Sequence, residues 1–350
     1  MDILNNTAIR VMRIMQVQAY FLTGLIFRYF NKFQIPLTHR MTNTENGLIP
    51  PKELYTTNYD NVPAFQNWLC IVNPNAGASS KRKLQKQFIT YLKIQPHLTV
   101  IEWEDKNNFK PVEDSINTYD YIIAIGGDGT VNRIAQAISG TSKKLGIVPL
   151  GSGNGLARTL GISTNPFKAL KQLKNAKPFL IDVGMCNNNL FLCTSGIGFD
   201  AEVARLFSTS NQRGLFTYIK LILTLALKYK SKNLKIEING TTFNSKVFMV
   251  TCCNAGQFGN NFYIAPDAKL NDGEFNLVII PKFSIITLIK IIFSLSIKSV
   301  KSSSYIIRKT INTFNVYAES PILIHFDGEA KQEEISVEFK ILPKHLYVLK

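Results

Sequence analysis

Three short apolar runs in this chain each end in a glycine-rich loop and then open into a helix-forming stretch. Residues 68–72 lead into Asn73-Pro-Asn-Ala-Gly77, residues 121–125 into Gly126-Gly-Asp-Gly-Thr130, and residues 145–149 into Gly151-Ser-Gly-Asn-Gly155. A strand that reaches a helix through glycine is the βα half of a βαβ unit, and repeating it builds a parallel sheet. The first turn of each helix leaves backbone N–H groups without partners, and they can face an anion. Three such loops imply a phosphate-bearing ligand beyond the carboxyl ends of the strands. Asp128 sits inside the middle loop, and a carboxylate beside phosphates calls for a metal ion or proton transfer. Neither the Walker A pattern nor the G-x-G-x-x-G fingerprint occurs, so the ordinary P-loop and dinucleotide folds are not indicated.

The pattern divides the chain. Strands are predicted over residues 68–72, 98–103, 121–125 and 145–149, with helices over 79–94, 112–118, 131–139, 156–160 and 166–175. After about residue 180 strand-like runs follow one another: 180–186, 190–194, 234–238, 243–254, 274–280, 305–316, 322–326 and 335–342. The predicted fold is an α/β nucleotide-binding domain with a parallel sheet, followed by an antiparallel β-sandwich domain. The predicted divisions are an N-terminal extension and linker over 1–63, the nucleotide-binding domain over 64–180, and the sandwich domain over 181–350. Residues 14–27 are uncharged and mostly apolar, but fourteen residues are too few to span a bilayer as a helix. They read as a membrane-surface helix or as an extension without function.

Charge narrows the partners. The 350 residues carry 40 Lys+Arg against 24 Asp+Glu, a formal net charge of +16. Residues 205–301 alone hold 13 Lys/Arg and 4 Asp/Glu. Such an excess favours anionic partners. Two apolar stretches with lysines, 215–232 and 283–301, suit helices that touch a membrane surface while packing on the sandwich. The five cysteines form no C-x-x-C and lie mostly in apolar runs, as buried reduced thiols do. The four histidines show no zinc spacing, and no RNA-binding motif is present.

Residues 125–132, Ile-Gly-Gly-Asp-Gly-Thr-Val-Asn, resemble the signature of the diacylglycerol kinase catalytic domain family, which includes sphingosine and ceramide kinases and bacterial lipid kinases. Further motifs follow in the family's order. Ile71-Val-Asn-Pro-Asn-Ala-Gly77 is similar to its first nucleotide loop and Pro149-Leu-Gly-Ser-Gly-Asn-Gly-Leu-Ala157 to its third. Thr194-Ser-Gly-Ile-Gly-Phe-Asp-Ala-Glu202 is similar to the start of its lipid-side domain. Ala265-Pro-Asp-Ala-Lys-Leu-Asn-Asp-Gly-Glu274 is similar to its metal-binding turn, and Phe326-Asp-Gly-Glu329 to its late acidic motif. The resemblance runs from about residue 69 to 350. It implies an NAD kinase/phosphofructokinase-like nucleotide fold and ATP- and Mg²⁺-dependent phosphorylation of a diacylglycerol-like or sphingoid lipid.

The resemblance also implies roles at matched positions. ATP would be held by Asn73, Pro74, Asn75, Ala76 and Gly77, by Gly126, Gly127, Asp128, Gly129, Thr130, Val131 and Asn132, and by Ser152. Glu104 stands where the family has another nucleotide contact. Asp272 would give Mg²⁺ a carboxylate, with Lys269 and Glu274 adding backbone carbonyls. Read alone, Asn271-Asp-Gly273 is an ordinary hairpin turn. Glu329 would be the general base, with Asp128 the competing candidate. Asp200 either binds the lipid head group or caps a helix, and Thr130 can cap the helix after the second loop.

The third loop reads Gly-Ser-Gly-Asn-Gly where bacterial members commonly end in Asn-Asp, so it is closer to the sphingoid and ceramide branch. The segment that returns to the nucleotide domain in some relatives is expected to be missing. Expected partners are a lipid substrate, an anionic membrane surface and a second copy in a homodimer, with no nucleic acid. The expected location is cytoplasmic, peripheral at the inner membrane surface. The other readings are a soluble NAD kinase-like enzyme and a catalytically silent, membrane-binding relative.

Overall fold

The computed structural model describes residues 68–77, 82–105, 108–209, 228–259, 262–282 and 303–350, with isolated positions within 222–226 and 287–301. The predicted extension and linker over 1–63 lie outside the described residues, as do most of the two lysine-flanked apolar stretches.

The first half is built on four parallel strands: β1 (Trp68–Val72), β2 (Leu98–Glu102), β3 (Tyr121–Gly126) and β4 (Lys144–Pro149), in the order β2-β1-β3-β4. β1, β3 and β4 are buried almost throughout, which explains their unbroken apolar runs. Helices α1 (Arg82–Lys93), α2 (Lys110–Ile116), α3 (Asp128–Ile138), α4 (Gly155–Thr159) and α5 (Pro166–Leu173) follow or connect them. α1 and α5 meet through Phe88 and Phe167, whose rings stand edge to face with centroids 5.0 Å apart. α3 packs on β3 and α5 on β4. Asn165 caps α5, its side chain accepting the N–H groups of Phe167 and Lys168.

The second half is mostly antiparallel: β5 (Pro178–Cys186), β6 (Asn189–Phe191), β7 (Thr194–Gly198), β8 (Lys232–Ile238), β9 (Thr241–Cys253), β10 (Gln257–Gly259), β11 (Phe262–Tyr263), β12 (Phe275–Pro281), β13 (Ile307–Ile311), β14 (Thr313–Phe326) and β15 (Glu329–Leu349). Helix α6 (Phe199–Thr209) follows β7. β9 and β14 each pair with β8 along one part and with β7 along another. These long strands therefore wrap around one core, which includes Phe191, Val250, Leu277, Phe314, Val316 and Phe339.

Three expectations need correction. The helix predicted from residue 131 begins at Asp128, inside the glycine loop, with Gly127 at its N-cap and no side-chain cap, so Thr130 does not cap it. Runs 305–316 and 322–326 are not two separate strands. The chain breaks at Asn312 instead, and β14 continues past Pro321 through a register shift between Tyr317 and Ile322. Finally, the C-terminal segment does return to the first half. The run predicted to stop at residue 342 passes Pro343 by an irregularity between Leu342 and Leu346, with Lys344 at φ 51°. Tyr347 and Val348 then pair in parallel with Lys144 and Leu145 of β4. Lys177 and Lys350 exchange backbone hydrogen bonds of 2.8 and 3.0 Å. One hydrogen-bonded sheet thus runs through both halves.

Candidate active site

The glycine loops converge at the carboxyl ends of β1, β3 and β4. In the first loop the Asn73 N–H donates to the Ile125 carbonyl (2.9 Å), and its side-chain Nδ2 donates to Thr130 Oγ1 (3.2 Å). Asn73 Oδ1 accepts the Asn75 N–H, closing a tight local turn around Pro74. Ala76 N–H donates to the Asn73 carbonyl, and Gly77 completes the loop at φ +85°. A Cβ there would run into the Leu150 carbonyl, so the first and third loops touch only because residue 77 is glycine. From α1, the buried Gln85 donates to the carbonyls of Asn73 and Pro74 (3.2 and 3.0 Å).

The second and third loops are joined by Asp128. Its Oδ2 accepts the Asn154 N–H (2.8 Å) and its Oδ1 the Gly155 N–H (2.7 Å). Gly151 lies so close to Gly127 that a Cβ on it would stand 2.6 Å from the Gly127 Cα. Burial pushes the Asp128 carboxyl up to about 6, with the negative Asp327 adding to the rise and the backbone N–H groups opposing it. The N-terminus of α3, without a side-chain cap, begins at this junction, as an anion site requires. Ser152 is half-buried in the third loop, and Val131 is buried in α3.

Glu329 reaches these loops from the other half of the fold. It follows a two-residue turn between β14 and β15, where Asp327 and Gly328 have φ 49° and 84°, as an Asp-Gly hairpin turn demands. Its carboxylate lies against Gly129: a Cβ there would collide with Glu329 Oε1. Asp327 fixes the turn. Its Oδ1 accepts the N–H groups of Cys193 (2.7 Å) and Thr194 (3.1 Å). Its Oδ2 accepts those of Leu192 (2.9 Å) and of the Asn132 amide (2.7 Å). The side chain of Asn132 is therefore turned to Asp327, and it also donates to the Leu190 carbonyl.

A chain of hydrogen bonds leads on to the predicted metal turn. Asn254 Nδ2 donates to the carbonyls of Leu192 and Asp182, both at 2.9 Å. The fully buried Asp182 accepts the Gly273 N–H (2.7 Å) and the Lys344 N–H (2.6 Å). Gly273 stands between Asp272, whose Oδ1 accepts the Glu274 N–H at 3.3 Å, and Glu274 itself. Lys269, Asp272 and Glu274 are exposed on this turn. Glu104 is also exposed, two residues beyond β2, and the network just described does not include it. Asp200 belongs to the first turn of α6 and sits inside the helix, beyond the cap position. Its carboxylate accepts from the Thr251 hydroxyl and the Ala201 N–H and lies 3.0 Å from His325 Nε2.

Asp182, Asn254, Asp327, Gln85 and His325 were not singled out from the sequence. Asp182 and His325 did leave a signal there: each interrupts an otherwise apolar strand, Leu-Ile-Asp-Val and Leu-Ile-His-Phe. A polar group inside such a run must be paired when buried. The five cysteines are buried and free, and burial pushes the Cys70 and Cys186 thiols up to about 12. Among the described residues, no helix is long and apolar enough to cross a membrane.

Comparison with known proteins agrees with this arrangement. Residues 67–186 match the model of the diacylglycerol kinase catalytic domain, and residues 194–350 that of the YegS C-terminal NAD kinase beta sandwich-like domain. A diacylglycerol kinase of Bacillus subtilis is 27% identical over 291 residues, covering 80% of this chain and 94% of the relative. A probable lipid kinase YegS-like protein of Chromohalobacter salexigens is 30% identical over 196 residues, covering 54% of this chain and 63% of its own. The solved structure of a putative diacylglycerol kinase from Bacillus anthracis shares the fold, with a TM-score of 0.65 at 22% identity over 81% of this chain and 96% of that one. These matches identify residues 67–186 as a diacylglycerol kinase catalytic domain and residues 194–350 as a YegS-type NAD kinase beta sandwich-like domain.

Proposed function

We propose that this protein is a lipid kinase that transfers the γ-phosphate of ATP to a hydroxyl of a diacylglycerol-like or sphingoid lipid. The observation that carries this reading is the Glu329 carboxylate, delivered by the β14–β15 turn against Gly129 in the second glycine loop. The loops and the start of α3 offer backbone N–H groups to the phosphates. Glu329 takes the proton of the lipid hydroxyl as that oxygen bonds to the γ-phosphorus. The bond from the γ-phosphorus to the bridging oxygen breaks, and ADP leaves. Positioning and charge neutralisation do most of the work in such a transfer.

Asp128 is the weaker candidate for the base. Both its oxygens accept backbone N–H groups of the third loop, so its role in this reading is to lock two phosphate loops together. The turn over residues 269–274 fits Mg²⁺. Asp182 holds it from the adjoining strand, and it offers one exposed carboxylate, Asp272. Among the described residues no three His, Cys, Asp or Glu cluster around one point, so an ion here would rest on Asp272, the Lys269 and Glu274 carbonyls and water. Held there, Mg²⁺ would supply positive charge next to the turn that Asp182 fixes. The lipid substrate and the basic surface together suit a peripheral position on an anionic, cytoplasm-facing membrane.

The deciding experiment incubates the purified protein with labelled ATP, Mg²⁺ and a lipid extract, and identifies the product by mass spectrometry. A labelled lipid phosphate is expected. Faster labelling of a soluble nucleotide than of any lipid would overturn the reading.

A further inference from the structure

The Asp200 carboxylate is engaged within the fold. Besides Thr251 and the Ala201 N–H it faces His325 Nε2, and the side chains of His325 and Asp200 are only 2% and 8% exposed. Their space comes from Gly196, where a Cβ would collide with the carboxylate and stand 3.1 Å from His325 Nε2. The other ring nitrogen looks the opposite way: Gly328 N–H donates to His325 Nδ1 at 3.4 Å. These partners assign the tautomer. Nδ1 is the acceptor, so the proton sits on Nε2 and is donated to Asp200. Gly328 is the residue immediately before Glu329.

We infer that Asp200 and His325 are positioning residues for phosphoryl transfer: Asp200 orients the imidazole, and the imidazole holds the turn that aims Glu329. The turn is then gripped from two sides, by Asp327 through residues 192–194 and by His325 through Gly328. Asp200 in this arrangement acts through His325 and makes no contact with the lipid head group. The inference rests on the reading of Glu329 as the base.

Kinetics of the full-length protein with Mg²⁺, ATP and either dioleoylglycerol or sphingosine in mixed micelles test it. Three variants at one position separate the roles. His325→Asn keeps an acceptor near the Nδ1 position, His325→Gln keeps a donor near Nε2, and His325→Ala keeps neither. His325→Gln and His325→Ala are expected to lower kcat by about tenfold to a hundredfold, with the lipid KM unchanged and whichever lipid is used affected alike. His325→Asn is expected to lose less than His325→Gln. Placed on Glu329→Gln, the His325 substitutions are expected to remove little further residual turnover. A lipid KM that rises in Asp200→Asn, or a changed preference between the two lipids, overturns the inference in favour of head-group contact. Losses that multiply with that of Glu329→Gln also overturn it while leaving Glu329 as the base. Full turnover in Glu329→Gln alone overturns the base assignment and this inference with it.

Discussion

Asp128 and Glu329 sit close together in the fold but in different chemical situations. Asp128 is half-buried and accepts two backbone N–H groups. Its carboxyl is raised from its ordinary value to about 6, so the folded state prefers the protonated form more than the unfolded chain does. Its contribution to stability is therefore fully present below about pH 4 and is lost as pH rises to about 6, a span worth about 3 kcal/mol. Urea unfolding of the wild type and Asp128→Asn across that window should show the difference: the variant lacks this downward slope with rising pH. Glu329 makes a kinetic prediction instead. Glu329→Gln should lower kcat by about a hundredfold or more, while ATP binding measured by calorimetry stays within about twofold.

At the scale of elements, the β14–β15 turn and residues 192–194 form the junction on which the site depends. Three backbone N–H groups converge on Asp327, and an alanine there would leave them buried without an acceptor. Asp327→Ala should cost about 3 kcal/mol or more in urea unfolding and should also abolish turnover. A turn merely exposed to solvent would predict a cost near zero. How far these elements were legible from sequence follows from their physics. β1, β3 and β4 were clear because a parallel strand buried on both faces has an unbroken apolar run, and the loops were clear because close approach demands glycine. β14 and β15 are longer than the sequence suggests, because Pro321 and Pro343 look like strand ends whereas register shifts carry both strands past them. Asp327 lies within the late acidic motif, yet the sequence hides its task, since its partners lie more than 130 residues away. The early start of α3 was missed for a similar reason: Asp-Gly-Thr looks like loop sequence until the third loop supplies N–H groups to Asp128.

At the scale of the whole molecule, the charge excess has a second location. Residues 129–181 contain no Asp or Glu but eight Lys and Arg, and α1 contributes no acid either. α1 and α5 pack together, and Arg82, Lys83, Lys86, Lys168 and Lys171 are exposed on them. The expected basic stretches 215–232 and 283–301 are therefore not alone in suiting an anionic surface. Reversing Lys83, Lys168 and Lys171 to Glu should weaken sedimentation with phosphatidylglycerol vesicles by about a hundredfold at low salt. Turnover of a short-chain lipid in solution should be unchanged, and unchanged vesicle binding would remove this face from the docking surface.

The pairing of Tyr347 and Val348 with β4 also sets an order of events in the cell. A ribosome makes the glycine loops early, but the strand that covers β4 comes only with the last few residues described. Until then the growing chain carries β4 with an open, hydrogen-bond-hungry edge, the kind of edge that recruits strands from other molecules. A chain interrupted between the loops and residue 347 would hold all three glycine loops and still be a candidate for aggregation. A sequence joined directly after Lys350 would likewise act on the strand that borders β4.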